Sequence, residues 1–353
     1  MTYQITIEPL GRTIEIEEGQ TLLDASLRNG IYLPHACCHG LCATCKVQIL
    51  EGEVDHGEAS PFALMDFERD NGQCLACCAR PKSDLVMEAD IEEEPDARNL
   101  PVQDFAATVS RIEDLTPTIR GIWLKLATPM DFQAGQYIAL NLPQAGGGIR
   151  RAFSPASKPS LSDEIELHVR LVEGGVGTTW IHRELKVGDA VTFSGPYGRF
   201  FVRESSPLPL IFLAGGSGLA GVLSMIGDLL EKGDRRPMTL VYGQRNRSEL
   251  YYDGLLRHLA AEFPNFTYVP VLSDEPEGSG WEGKRGYIHE AAKELFDGVF
   301  TGHRAYLCGP PMMIEACIKT LMQGRLFERD IFTEKFFNAG DMNKVRSPLF
   351  RNV

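Results

Sequence analysis

Three of the nine cysteines in this chain of 353 residues have a spacing that could hold metal. Cys37, Cys42 and Cys45 follow C-x4-C-x2-C, and 31 residues separate Cys45 from Cys77 in Leu75-Ala76-Cys77-Cys78. Three thiolates from one tight loop and a fourth from a distant segment are what a plant-type [2Fe–2S] cluster needs. Gly40, Ala43 and Thr44 are small, so the loop can wrap closely and aim its backbone N–H groups at sulfur. Cys74 and Cys78 compete with Cys77 for the fourth place. Cys77 is chosen because it follows Leu-Ala, as the ferredoxin ligand usually follows Leu-Thr or Leu-Ala. Zinc is the alternative, since four thiolates suit it too; its sites usually use paired C-x2-C, and Cys42 with Cys45 supplies such a pair. A Rieske centre would need two histidines, and only His39 lies in the loop. Disulfides are not expected, because nothing suggests secretion.

A second set of motifs suits nucleotides. Arg151-Ala152-Phe153-Ser154 follows the loop Gly146-Gly147-Gly148. An arginine fork fits phosphate oxygens, an aromatic can cover a flavin ring, and a hydroxyl can approach its N5. Gly174-Gly175-Val176-Gly177-Thr178 precedes a helix-like segment whose first amides could hold a diphosphate; the plainer reading is a glycine turn capped by Thr178. Gly215-Gly216-Ser217-Gly218-Leu219-Ala220-Gly221 matches G-x-G-x-x-G between an apolar strand and a helix. The acidic residue expected about 20 positions on is absent, with Gly243 in its place, so an ordinary dinucleotide dehydrogenase is not indicated. Cys308-Gly309-Pro310-Pro311 ends a later strand and would face a ligand crevice, with Cys308 beside a nicotinamide. Phe332-Thr333-Glu334-Lys335-Phe336-Phe337 could place an aromatic over a flavin, or be a packed end strand.

The elements that would position these residues follow from patterning. Alternation over 3–8 and 13–16 predicts a hairpin, Thr21 caps a helix ended by Gly30, and 46–50 and 84–88 read as strands. Pro61 opens a helix-like segment through Ala63, Leu64 and Phe67. Hairpin, helix, loop and late strands suit a β-grasp ferredoxin over 1–92. The acidic 93–101 reads as a linker. Short alternating runs at 108–109, 119–124, 137–140, 164–169 and 191–193 predict an antiparallel β-barrel over 102–205, with one helix near 178–185. From Leu208 the pattern changes to apolar strands alternating with helices, an open parallel α/β sheet over 206–337. Residues 338–353 are left as a tail.

The net charge is −13, and residues 1–100 carry 19 acidic against 7 basic side chains. Nearly all the excess thus lies with the cysteine loop. That excludes nucleic acid as its partner and suits docking on a basic protein surface. No signal peptide or membrane span is read, and the free thiols point to the cytoplasm.

Taken in order, Cys37/Cys42/Cys45/Cys77, Arg151–Ser154, Gly215–Gly218 and Cys308–Pro311 resemble the ferredoxin–NAD(P)H reductase-type electron-transfer proteins. Within these the chain is most similar to the reductase components of multicomponent bacterial phenol hydroxylases. Residues 57–66, 168–175 and 321–330 also resemble that family, and the likeness covers about 1–340. It departs at Gly221, where many relatives have proline. The resemblance implies an NADH reductase holding FAD and [2Fe–2S] that feeds a di-iron oxygenase hydroxylating phenol. It implies FAD contacts at Arg151, Ala152, Phe153, Ser154, His168, Val169, Gly175, Val176, Gly177, Thr178 and Phe336. It implies NAD contacts at Gly215, Gly216, Gly218, Arg245, Cys308, Gly309 and Pro310, with Ser154 and Cys308 flanking hydride transfer and cluster ligation by Cys37, Cys42, Cys45 and Cys77. NADH is preferred over NADPH because Glu249 would oppose a phosphate near Arg245 and Arg247. Two rivals stay open: a reductase serving another oxygenase, and a non-enzymatic binding module with a degenerate flavin domain.

Overall fold

In the computed structural model, residues 1–91, 94–143 and 148–336 are described. The Gly146-Gly147 part of the glycine loop, Phe337 and the 338–353 tail lie outside them. Residues Met1–Gln103 make one compact unit, and a second begins at Asp104.

In the first unit, Thr2–Glu8 and Arg12–Glu17 form the expected hairpin, with Ile5, Ile7, Ile14 and Ile16 on the buried face. Strand alternation puts every second side chain on that face. The sheet order is Arg12–Glu17, Thr2–Glu8, Leu85–Glu88, Lys46–Glu51, Gln73–Leu75. The central pairing of Thr2–Glu8 with Leu85–Glu88 is parallel. The helix Leu22–Arg28 starts at Thr21, whose hydroxyl accepts the Asp24 N–H. This is the β-grasp arrangement. One expectation needs correction: the short helix is Asp66–Asp70, not a segment opened by Pro61. Arg69 donates to the carbonyls of Ala59 and Leu64, which bends 59–64 into turns instead. The linker also ends differently. Val102 is buried, and its N–H bonds the Leu27 carbonyl, so the chain stays with the first unit through Gln103.

The second unit holds two sheets. Six antiparallel strands run in the order Ile149–Phe153, Tyr137–Leu142, Ala190–Tyr197, Gln103–Asp114, Ile119–Leu126, Glu164–Arg170. A bridge between Pro155 and Leu167, with the Ala156 N–H on the Glu166 carbonyl, links the two ends into a barrel. The strand Ile149–Phe153 was not expected, because its burial pattern carries no alternation. The second sheet is parallel throughout. Its order is Lys284–Arg285, Phe266–Leu272, Met238–Gln244, Leu210–Gly215, Arg304–Gly309, Ile331–Lys335. Leu210–Gly215 is buried along its whole length, as an unbroken apolar run requires. Barrel residues Ala134, Ala156 and Phe200 share one core with the nucleotide sheet, which is why both sheets form one unit. Among the described residues no helix is long and apolar enough to cross a membrane.

Candidate functional site

The cysteine loop joins the helix Leu22–Arg28 to the strand Lys46–Glu51. Cys38, Gly40 and Ala43 take left-handed backbone at φ 54°, 71° and 61°, which turns main-chain amides inward. The N–H groups of His39 and Leu41 both reach Cys37 Sγ at 3.4 Å. Those of Thr44 and Gly40 serve Cys42 and Cys77. Gly40 is required here: a Cβ would stand 2.7 Å from Cys78 Sγ and 3.1 Å from Ala59 Cα.

The four expected ligands come together as two pairs, Cys37 with Cys42 and Cys45 with Cys77. The hydrogen bond from Cys37 pulls the Cys42 thiol down to about 4, and that from Cys45 pulls Cys77 to about 6. The donors Cys37 and Cys45 are pushed up in return. Low-lying thiols are the form that binds metal. The sequence also holds a second C-x2-C pair, Cys74 and Cys77, so counting pairs does not dispose of zinc. Placement does. Cys74 sits fully buried on Gln73–Leu75, its thiol pushed up to about 12 by burial. Two thiol pairs in a web of amide donors fit a two-iron cluster, one pair to each iron.

In the barrel, Arg151 lies on the edge strand Ile149–Phe153 against the start of the helix Val176–Arg183. A Cβ at Gly177 would come within 3.3 Å of Arg151 Cγ. No side chain caps that helix: its N-cap is Gly175, and the Thr178 hydroxyl accepts the Val172 N–H. A cation beside uncapped amides is a diphosphate cradle. Ser154, just past the strand, is buried with its Oγ lacking any partner among the described residues. Such a hydroxyl is costly unless a ligand satisfies it. These residues fit a flavin nucleotide. Gly221 packs directly under this serine: a Cβ there would meet Ser154 Cβ at 3.4 Å. His168 has both ring nitrogens occupied, by Glu166 at 2.8 Å and Tyr251 at 3.0 Å, so any flavin contact falls to its main chain. Its neighbour Val169 is fully buried in the barrel core.

The glycine turn Gly216–Gly218 links Leu210–Gly215 to the helix Leu219–Glu231. Its neighbour in the sheet, Arg304–Gly309, ends at Cys308-Gly309-Pro310, and a Cβ on Gly218 would collide with the Cys308 carbonyl. Two turns back to back at the carboxyl edge, where the strand order reverses, form a nucleotide crevice. Tyr242 OH donates toward the Gly216 carbonyl at 3.4 Å and accepts from Gln244 at 2.6 Å. Cys308 is fully buried, and burial holds its thiol protonated. Facing it in register is Glu334 on Ile331–Lys335, a carboxyl that burial raises to about 7 and that sequence patterning did not single out. Its one visible signal is a carboxylate in an otherwise aromatic end strand. Phe336 follows, packed against the core, with its N–H on the Gly309 carbonyl.

The phosphate argument from Glu249 is corrected. Glu249 is buried, and its carboxylate accepts from the Thr116 and Thr118 hydroxyls at 2.9 and 2.6 Å. The carboxylate beside the basic cluster is Glu275, which accepts the Arg247 N–H at 2.7 Å, while Arg285 donates to its carbonyl at 2.5 Å. Arg245 is exposed at the end of Met238–Gln244.

Three family models match in sequence order. They are a 2Fe-2S iron-sulfur cluster binding domain over 5–82, an oxidoreductase FAD-binding domain over 106–202 and an oxidoreductase NAD-binding domain over 212–319. The chain is 59% identical to the phenol 2-monooxygenase reductase component DmpP of Pseudomonas sp. (strain CF600), with all of both chains covered. It is 54% identical to the phenol hydroxylase P5 protein of Acinetobacter pittii (strain PHEA-2), again over the full length of both. Among solved structures, that of the Amycolatopsis reductase GcoB superposes with a TM-score of 0.84 at 38% identity, covering 95% of this chain and 98% of that one.

Proposed function

This chain belongs to the family of iron–sulfur flavoprotein reductase components of phenol monooxygenases, and we propose that it carries electrons from NADH, through FAD and a [2Fe–2S] cluster, to a di-iron oxygenase that converts phenol to catechol. The observation that carries the reading is the pair of thiol pairs, Cys37/Cys42 and Cys45/Cys77. A site built for one-electron transfer in a chain that also binds two nucleotides has to be an outlet. When bound, FAD accepts a hydride and releases its electrons singly, which joins a two-electron donor to a one-electron outlet.

The protein's part is orientation and electrostatics. Arg151 and the amides of Val176–Arg183 hold the diphosphate. Ser154 offers its unpartnered hydroxyl to the flavin ring, and Phe336 supplies an aromatic at the crevice edge. Gly215, Gly216, Gly218, Gly309 and Pro310 let the dinucleotide backbone approach closely. Cys308 flanks the nicotinamide as a neutral thiol, and Arg245 lies where the adenosine end would reach. The work divides as 1–92 for the cluster, 104–205 for FAD and 206–337 for NAD, with 93–103 staying with the first unit. The oxygenase meets the acidic first unit, in the cytoplasm, where thiols stay reduced. NADH is the donor because Glu275 sits beside Arg247, where the 2′-phosphate of NADPH would need an uncompensated cation. Comparing kcat/KM for the two nucleotides checks this; equal values would remove it.

The test of the whole reading is Cys42→Ala. Cytochrome c reduction by NADH should collapse, while ferricyanide reduction from the flavin survives. Equal loss of both would contradict the division of labour. An anaerobic NADH titration of the holoprotein should bleach flavin and then reduce the cluster.

A further inference from the structure

The segment 59–65 forms a shelf beside the cysteine loop. Its underside is anchored: Ala59, Ala63 and Leu64 are buried. The Ser60 N–H bonds the Gly40 carbonyl at 3.0 Å, and Arg69 holds the Ala59 carbonyl at 2.9 Å. The upper side is bare. Phe62 is 92% exposed, Met65 51%, and Leu41, in the cysteine loop itself, 54%. These bonds fix the main chain on either side, so the Phe62 ring projects from an anchored backbone. Single exposed apolar residues are ordinary, but here Leu41 in the redox loop and Phe62 and Met65 on the segment tied to it at Gly40 all stay exposed. Glu58 and Asp66 border it, exposed, while Lys46 is tied to Glu68 at 2.5 Å. The first 100 residues carry a net −12.

We propose that this shelf is the docking face for the electron acceptor, with Phe62 as the anchor that enters an apolar hollow ringed by lysine or arginine on the oxygenase component. This rests on the reductase reading above. Buried aromatics dominate the affinity of small interfaces, and the surrounding carboxylates steer encounter. Rigidity of the shelf keeps the ordering cost low. Leu41 is exposed in the cysteine loop with its amide 3.4 Å from Cys37 Sγ, so an acceptor that touches it comes next to a cluster ligand.

The holoprotein variant Phe62→Ala, with Phe62→Leu as control, tests this against two acceptors: the oxygenase component and cytochrome c, a basic protein. Calorimetric Kd for the oxygenase should rise about tenfold in Phe62→Ala and less in Phe62→Leu, since loss of a central aromatic is worth about one decade. Half-saturation by cytochrome c should rise as well. NADH–ferricyanide turnover and NADH-driven reduction of the cluster should stay at the parent rates. Unchanged Kd and half-saturation overturn the proposal. So does slowed internal reduction of the cluster, which would assign the shelf to the step before the outlet. If the parent protein fails to drive the phenol oxygenase, the functional reading falls, while the cytochrome c arm still decides the shelf.

Discussion

Ser154 buries a hydroxyl that meets no partner among the described residues. An unsatisfied buried group of that kind costs about 1–3 kcal/mol, and a fold keeps it only where something else satisfies it. Ser154→Ala should therefore leave the flavin-free protein as stable as the parent or more so, by thermal melting. The same variant should slow hydride transfer in stopped-flow reduction of the flavin-loaded protein by about an order of magnitude. A destabilised flavin-free variant with normal hydride transfer would make the serine structural. Gly40 presents the opposite case, a residue needed for what it lacks. Its φ of 71° and the 2.7 Å approach of a Cβ to Cys78 Sγ leave no room for a side chain. Gly40→Ala should lower iron per chain well below two while FAD content holds.

Among the elements, the helix Leu22–Arg28 leads the chain into the cysteine loop, and its start depends on one hydroxyl. The bond from the Asp24 N–H to Thr21 Oγ1, at 3.3 Å, caps it, and Arg28 pairs with Asp24 at 3.0 Å one turn on. Thr21→Ala should cost about 1 kcal/mol. A lower urea midpoint for bleaching of the cluster absorbance, with flavin release unmoved, would register it. The segment after Pro61 shows why local signals mislead. Pro61, Ala63, Leu64 and Phe67 have helix-like spacing, yet Arg69 and the Gly40 carbonyl draw 59–64 into turns and the helix waits until Asp66. Bonds to distant residues outweighed a weak local preference.

At the scale of the second unit, the barrel and the nucleotide sheet are held together by buried polar ties. Glu166 accepts from Tyr252 and pairs with His168 at 2.8 Å, and His168 meets Tyr251 at 3.0 Å. Desolvation pushes the Glu166 carboxyl up, but the bonds from His168 and Tyr252, with the charge of Arg111, win and hold it below its ordinary 4.5. A carboxyl depressed by folding adds stability that is present above the ordinary value and is lost as pH falls through the folded one. The parent protein should therefore lose more Tm than Glu166→Gln between about pH 5 and pH 3. Parallel Tm profiles would remove Glu166 as the linkage.

The sequence by itself determined the chemistry that lies close along the chain. The three cysteines of one loop, the arginine–serine tetrad, the glycine turn and the Cys308 turn each sit within a few residues, because a metal loop or phosphate turn is built from consecutive backbone. Strand patterns were legible wherever one face is buried, as at Ile5, Ile7, Ile14 and Ile16. Tertiary structure alone decided what depends on residues far apart in sequence. It paired Cys45 with Cys77, which the Leu-Ala context had already favoured, and turned Glu249 inward onto Thr116 and Thr118. It also set Glu334 against Cys308 across a parallel register. Such partners are chosen by how strands align and which side chains the core must satisfy, and neither is written in local spacing.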